Sequence, residues 1–313
     1  MNFTVFLLLL PSVVVSVIIG ANDAGSLLGP TIANGIFKMR KALYFSIIFI
    51  LLGSLIEGMP NLKVASNLVK VDTAGALIIN ISSAAVALFF LRANLPISMT
   101  QAIVGASVGV GFLLKEVNTE VLLFIALGWF ATPVASFAIA YLFFKIFALI
   151  FRGIKNLGVR ELVLRTFLWS FTLYGAFSFG ANNAGKITGL LLSQGVNPYL
   201  LLLVGGLSLV VGVYFFGKRS INTIGRELVA LDDFSAMVSI SASAVTLWLF
   251  SAIGLPISAS HSIVGSIVGV GYARGTRIRN ERIFNRVLFS WLQAPLYSGI
   301  FSALLFSIFK LLW

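Results

Sequence analysis

GANDAG at residues 20–25 returns as GANNAG at residues 180–185, and LPISMTQAIVGASVGVGF at 95–112 returns as LPISASHSIVGSIVGVGY at 255–272. Both pairs are displaced by 160 residues, and Trp129 and Pro133 pair with Trp291 and Pro295 at a displacement of 162. Two motifs that keep both order and register mark a duplicated unit. Recurrent small-residue packing between membrane helices gives scattered GxxxG matches, without a common register. The duplication predicts two structurally similar halves, 1–151 and 163–313, joined by a connector at 152–162.

The composition around these motifs says where the halves reside. The chain has 313 residues, of which 59% are hydrophobic and 10% charged, and its mean hydropathy is +1.03. A soluble domain carries about 25% charged residues, so this chain has too few polar side chains to coat a water-soluble globule. A disordered chain would need low hydrophobicity. A membrane β-barrel would alternate polar and apolar residues, whereas the runs here are unbroken. The expected class is an all-α polytopic membrane protein. At about 20 residues per crossing the chain supplies roughly 10–12 membrane segments. There is no cysteine, which excludes disulfides, thiol catalysis and Cys-ligated metal. The net charge of +12 fits a positive-inside bias better than nucleic-acid binding, because the aromatics lie inside apolar runs.

The apolar runs read as 3–37, 42–58, 74–92, 95–113 and 121–151, then 163–197, 198–217, 236–254, 256–273 and 287–312. The N-terminal run lacks a basic start and a cleavage site and reads as the first membrane helix. Fifteen of the 22 Lys and Arg residues fall in four connectors. These hold Lys38, Arg40 and Lys41; Arg152, Lys155, Arg160 and Arg165; Lys218, Arg219 and Arg226; and Arg274, Arg277, Arg279, Arg282 and Arg286. Equivalent connectors carry opposite bias: Lys38–Lys41 is basic while its counterpart near Asn197 is neutral. The two halves are therefore expected upside down to each other in the cell membrane, with both termini outside. That is the inverted-topology repeat of secondary transporters, with broken helices and helical hairpins. Whether 74–92 and 95–113 span fully or re-enter, the topology is the same.

Such carriers bind substrate near the midplane, at interrupted helices. Asn and Asp favour helix starts, so breaks are expected at Asn22-Asp23 and Asn182-Asn183. Proline suits a first helical position, so others are expected at Leu95-Pro96 and Leu255-Pro256. Four half-helix starts would then aim unpaired N–H groups inward, an arrangement that attracts anions. Ser98, Thr100, Ser258, Ser260 and Ser262 add hydroxyl groups in the first turns. Asn22, Asp23, Asn182 and Asn183 offer oxygens of the kind that Na⁺ takes. A small oxyanion beside a coupling cation suits this set, the cation offsetting the cost of buried negative charge.

GANDAGSLLG, GANNAGKITG, LPISMTQAIVG and LPISASHSIVG resemble the inorganic phosphate transporter (PiT) family, whose signatures read close to GANDVANA and P-[IV]-S-[ST]-T-H-[SA]-I-V-G. The resemblance covers both halves. It implies import of inorganic phosphate coupled to Na⁺ or H⁺ by alternating access, with no other cofactor, and a homodimer; some members move sulfate. The ligand positions it implies are Asn22, Asp23, Ser98, Thr100 and Gln101 in the first half, and Asn182, Asn183, Ser258, Ser260, His261 and Ser262 in the second. Four departures stand out. Asn183 replaces an aspartate, Gln101 a histidine, and Ser26 and Lys186 each an asparagine. Lys186 reads either as a tethered cation on the coupling side of the site or as a lysine snorkelling to an interface.

Glu57, near the end of an apolar run, is a candidate coupling carboxylate or an interfacial one. His261, the single histidine, is a ligand, a proton carrier or a packing residue. Arg92 is expected to anchor a hairpin, Asp232 and Asp233 to face water, and Arg274–Arg286 to meet lipid headgroups. Neither HExxH nor a P-loop occurs, and neighbours in a helix such as Ser260 and His261 do not face each other. The expectation is a carrier rather than an enzyme, with an anion channel as the remaining alternative.

Overall fold

The computed structural model describes residues 3–33, 37–92, 97–221, 231–276 and 281–312. Leu95-Pro96, Arg226, Arg277 and Arg279 lie outside them, as does the Arg282 side chain. The first half contains α1 (Phe3–Ala33), α2 (Met39–Glu57), a short α3 (Met59–Leu68), α4 (Thr73–Arg92), α5 (Met99–Leu114) and α6 (Thr119–Gly153). The second contains α7 (Leu157–Thr188), continued by a 3₁₀ turn (Gly189–Gln194), α8 (Pro198–Val211), continued by a π turn (Gly212–Phe216), α9 (Asp233–Ala252), α10 (Ala259–Arg274) and α11 (Glu281–Leu312). Between α6 and α7 the chain leaves the helix only over 154–156, inside the expected connector 152–162.

Eight helices among the described residues are long and apolar enough to cross a membrane. The 16-residue helices α5 and α10, about 24 Å long, fall short of a hydrocarbon core of about 30 Å. Each half holds four of these eight helices and one 16-residue helix. Counting the short helix gives five membrane segments per half, and a re-entrant pair in place of two crossings gives three; both are odd, as an inverted repeat requires.

The duplication survives in local detail. Helices α5 and α10 have equivalent bounds, follow extended N-cap residues Ser98 and Ser258, and end on left-handed Lys115 and Gly275. Packing between the copies is crossed. Helix α5 of the first copy lies on α11 of the second, and α10 of the second lies on α6 of the first. At both crossings a glycine permits backbone contact: a Cβ on Gly105 would overlap the Pro295 carbonyl, and one on Gly265 the Pro133 carbonyl. The signature motifs cross in the same way, Gly20 lying against the backbone of α8 and Gly180 against that of α2.

Two expected breaks are absent. Helix α1 runs unbroken through Asn22-Asp23 and α7 through Asn182-Asn183, so neither pair starts a half-helix. Asparagine caps a helix only where it lacks a better partner, and here the side chains bond elsewhere. Asn183 Nδ2 donates back to the Phe179 carbonyl at 2.9 Å, while Asn22 and Asn182 reach sideways to the hairpins. The length of α7 has another origin: its first turns, with Arg160, Glu161 and Arg165, are exposed and paired by an Arg165–Glu161 bridge of 2.5 Å. The interruptions sit instead between α4 and α5, between α9 and α10, and at the 3₁₀ turn after Thr188.

Candidate functional site

Helix α5 begins at Met99 behind Ser98, whose hydroxyl accepts from the Gln101 N–H at 3.5 Å. Helix α10 begins at Ala259 behind Ser258, whose hydroxyl instead meets the Ser260 hydroxyl at 2.8 Å. The residues entering these helices remain extended, so their carbonyls are free to accept from other elements.

The asparagines of α1 and α7 take up those carbonyls. Asn22 Nδ2 donates to Ile97 O at 3.0 Å and to the Asp23 carboxylate at 2.7 Å. Asn182 Nδ2 donates to Leu255 O at 3.3 Å. Lys186, one turn beyond Asn182, donates to the Thr100 hydroxyl at 2.7 Å and also to the Ile257 carbonyl. Thr100 in turn donates to Ile257 O at 3.1 Å. One ammonium thus joins the tip of the second hairpin to the first turn of the first copy's half-helix. Asp23 and Lys186 are each 3% exposed, so Lys186 does not snorkel to an interface.

Several buried polar atoms in this region have no partner: Gln101 Oε1, Asn182 Oδ1, Ser26 Oγ and His261 Nε2. Buried polar atoms are almost always paired, so these atoms stand available to a ligand or water. The voids beside it are water-sized. One of about 20 Å³ touches Thr100, Ser107, Lys186 and Pro256, and one of about 10 Å³ touches Ser26, Ser243 and Ala259.

Not every expected residue joins this network. His261 is buried in an aromatic slot, its ring 3.7 Å from that of Trp291 and its Nδ1 3.3 Å from the Trp129 carbonyl. Ser262 donates to the Ser243 carbonyl at 3.1 Å, inside its own hairpin. Glu57 has a buried Oε2 without a hydrogen-bond partner and no hydrogen bond to the residues above. Arg92 is exposed at the hairpin's end. Asp232 and Asp233 are exposed. Asp232 caps α9 through the Ser235 N–H at 2.7 Å and pairs with Arg274 at 3.2 Å.

Two residues beyond the motifs hold the signature helices. Asn61, fully buried in α3, donates to the Ser251 hydroxyl at 2.8 Å, to the Ser251 carbonyl at 3.3 Å and to Ala181 O at 3.4 Å. Ser220 accepts from the Gly25 N–H at 2.8 Å and donates to the Asn22 carbonyl. Asn61 had one visible signal, a polar residue between two apolar runs. Ser220 lies in a basic connector that hides it.

Comparison with known proteins agrees with this arrangement. Over 298 residues the chain is 28% identical to the sulfate permease CysP of Bacillus subtilis, covering 93% of this chain and 84% of the permease. Over 149 residues it is 34% identical to human sodium-dependent phosphate transporter 1, covering 44% of this chain and 22% of the human protein. A solved structure described as the sodium-dependent phosphate transporter superposes with a TM-score of 0.89 over the whole of both chains, at 24% identity, which is a likeness of fold. The model of the phosphate transporter family matches twice, at residues 19–162 and 152–302, once for each copy. Taken with the doubled motifs and the crossed hairpins, this shows that the chain belongs to the phosphate transporter family.

Proposed function

We propose that the chain is a secondary carrier importing inorganic phosphate by alternating access, driven by a Na⁺ or H⁺ gradient, with 1–151 and 163–313 as its two inverted units. Both termini face outward in this reading, because the basic connectors then lie in the cytoplasm. The observation that carries it is the meeting of the two copies at the starts of α5 and α10. There Lys186 bridges Thr100 and Ile257, and Gln101 Oε1 and Asn182 Oδ1 lie buried without donors. The ammonium and the first-turn N–H groups attract an oxyanion. The orphaned acceptors, with the Asp23 carboxylate, suit an oxyanion that itself donates a hydrogen bond. Monohydrogen phosphate carries such a proton; sulfate does not.

Sulfate is the second reading. The Bacillus relative named a sulfate permease spans nearly the whole chain, and Asn183 offers no carboxylate to receive a substrate proton. Competition decides between them. Proteoliposomes holding the purified chain should take up labelled phosphate saturably, with excess unlabelled phosphate abolishing the signal and equal sulfate leaving most of it. The reverse order of competition would make sulfate the substrate. Uptake of either anion that ignores every cation gradient would reject the coupled carrier.

A further inference from the structure

The repeat allows the two copies to be compared residue by residue at the centre of the protein. Asp23 in the first copy corresponds to Asn183 in the second, and Ser26 corresponds to Lys186, each at a displacement of 160. One copy therefore brings a carboxylate and the other an ammonium. Among the described residues these are the only buried members of the Asp, Glu, Lys and Arg set. No direct ion pair within 4.0 Å joins them; the described ion pairs are Arg165–Glu161 in the first turns of α7 and Arg274–Asp232 at helix ends.

The surroundings of the Lys186 ammonium are oxygens. One is the Thr100 hydroxyl from the first copy and the other is the Ile257 carbonyl from the second. A hydroxyl and an unwound-segment carbonyl beside a buried carboxylate are what a coupling Na⁺ seeks in inverted-repeat carriers. In the first copy the carbonyl equivalent to Ile257 O, that of Ile97, receives the neutral Asn22 amide instead. The charge at the second tip is thus specific to Lys186 and is not imposed by the repeat. Burying an oxyanion with Asp23 and no positive charge would be costly, and a lysine fixed in the chain meets that need without an ion from solution.

We propose that Lys186 is a built-in counter-cation that takes the place of Na⁺ at the centre, so that oxyanion uptake by this chain proceeds without Na⁺. The proposal rests on the carrier reading above and narrows its coupling ion.

The test uses the purified full chain in proteoliposomes, with labelled phosphate and labelled sulfate, an inward proton gradient, and either Na⁺ or choline as the medium cation. Wild-type uptake should agree in the two media within about twofold, a small fraction of the tenfold step that about 1.4 kcal/mol would produce. Lys186→Ser, which gives the second copy the residue of the first, should lose about tenfold or more in choline, because an uncompensated charge remains at the site, and should recover in Na⁺. Melting gives a second readout: Na⁺ should raise the transition of Lys186→Ser and leave wild type unmoved, as expected of an ion bound only by the variant. Should Lys186→Ser fail to fold, Asn183→Asp carries the same test, since its added carboxylate should create a Na⁺ response in uptake and melting. Wild-type uptake that collapses in choline overturns the inference, as does a folded variant indifferent to Na⁺ in both readouts. Wild type that takes up neither anion in either medium defeats the carrier reading itself, a different and recognisable result.

Discussion

Thr100 and Ser260 occupy the same place in the two copies, 160 residues apart, yet their surroundings predict unequal consequences for removing each hydroxyl. The Thr100 hydroxyl accepts from the Lys186 ammonium at 2.7 Å and donates to Ile257 O at 3.1 Å. Thr100→Val keeps the shape and removes both bonds. A hydrogen bond to a charged group contributes about 1.5–3 kcal/mol and a neutral one about 1 kcal/mol. The change should therefore destabilise by about 2–4 kcal/mol. At about 2–4 °C per kcal/mol for chains approaching this size, the melting transition of the purified protein should fall by roughly 4–16 °C. Ser260 is half-buried and meets only the Ser258 hydroxyl. Ser260→Ala should cost about 0.5–1 kcal/mol, or roughly 1–4 °C. Differential scanning fluorimetry in one detergent at one pH measures both. Equal shifts for the two variants would refute the bridge between the hairpins, since only Thr100 touches the buried charge. Restoration of the Thr100→Val deficit by Lys186→Met would confirm the coupling, because the double variant leaves no ammonium to be satisfied.

Gly265→Leu should abolish folded, monodisperse protein, because its side chain would enter the Pro133 backbone, whereas Gly153→Ala, with open space around it, should leave elution on size-exclusion chromatography unchanged. Asn61→Leu strips the donor from Ser251 and Ala181; a loss of about 2–3 kcal/mol is expected, read as earlier thermal unfolding, and an unshifted transition would contradict it. Asp232→Ala removes the cap of α9 and the Arg274 pair and should cost about 1 kcal/mol, while Asp232→Asn keeps the capping oxygen and should cost about 0.5 kcal/mol or less. Reversal of that order in the same melting assay would remove the capping role.

Where a signal was periodic, the sequence was sufficient. The displacement of 160 located both half-helices, and α5 and α10 have equivalent ends at Leu114 and Arg274. The matched Trp–Pro pairs lie on the very helices, α6 and α11, that these half-helices cross. Where a side chain had a choice of partner, local preference misled. Asn22 and Asn182 are good helix starters in isolation, but a neighbouring hairpin supplied carbonyls and the helices stayed whole. That choice is tertiary and leaves no trace in spacing. The same limit hid Asn61 and Ser220, which act on distant segments, and it hid the reach of Lys186 to Thr100, a residue 86 positions away. His261 was legible as a motif residue, read as a ligand, a proton carrier or a packing residue. Its slot between Trp129 and Trp291 depended on the crossed packing.

Crossed packing also constrains how the molecule comes into being. Helix α5 is complete at Leu114, but the helix on which it rests begins only at Glu281. On a ribosome the first copy must wait with its glycine face unpartnered until nearly the whole chain has emerged. Its own α6 is meanwhile reserved for α10, not yet made. Neither copy owns a finished interior, so assembly is a late, mutual closure in which a truncation near the end of the chain undoes the beginning.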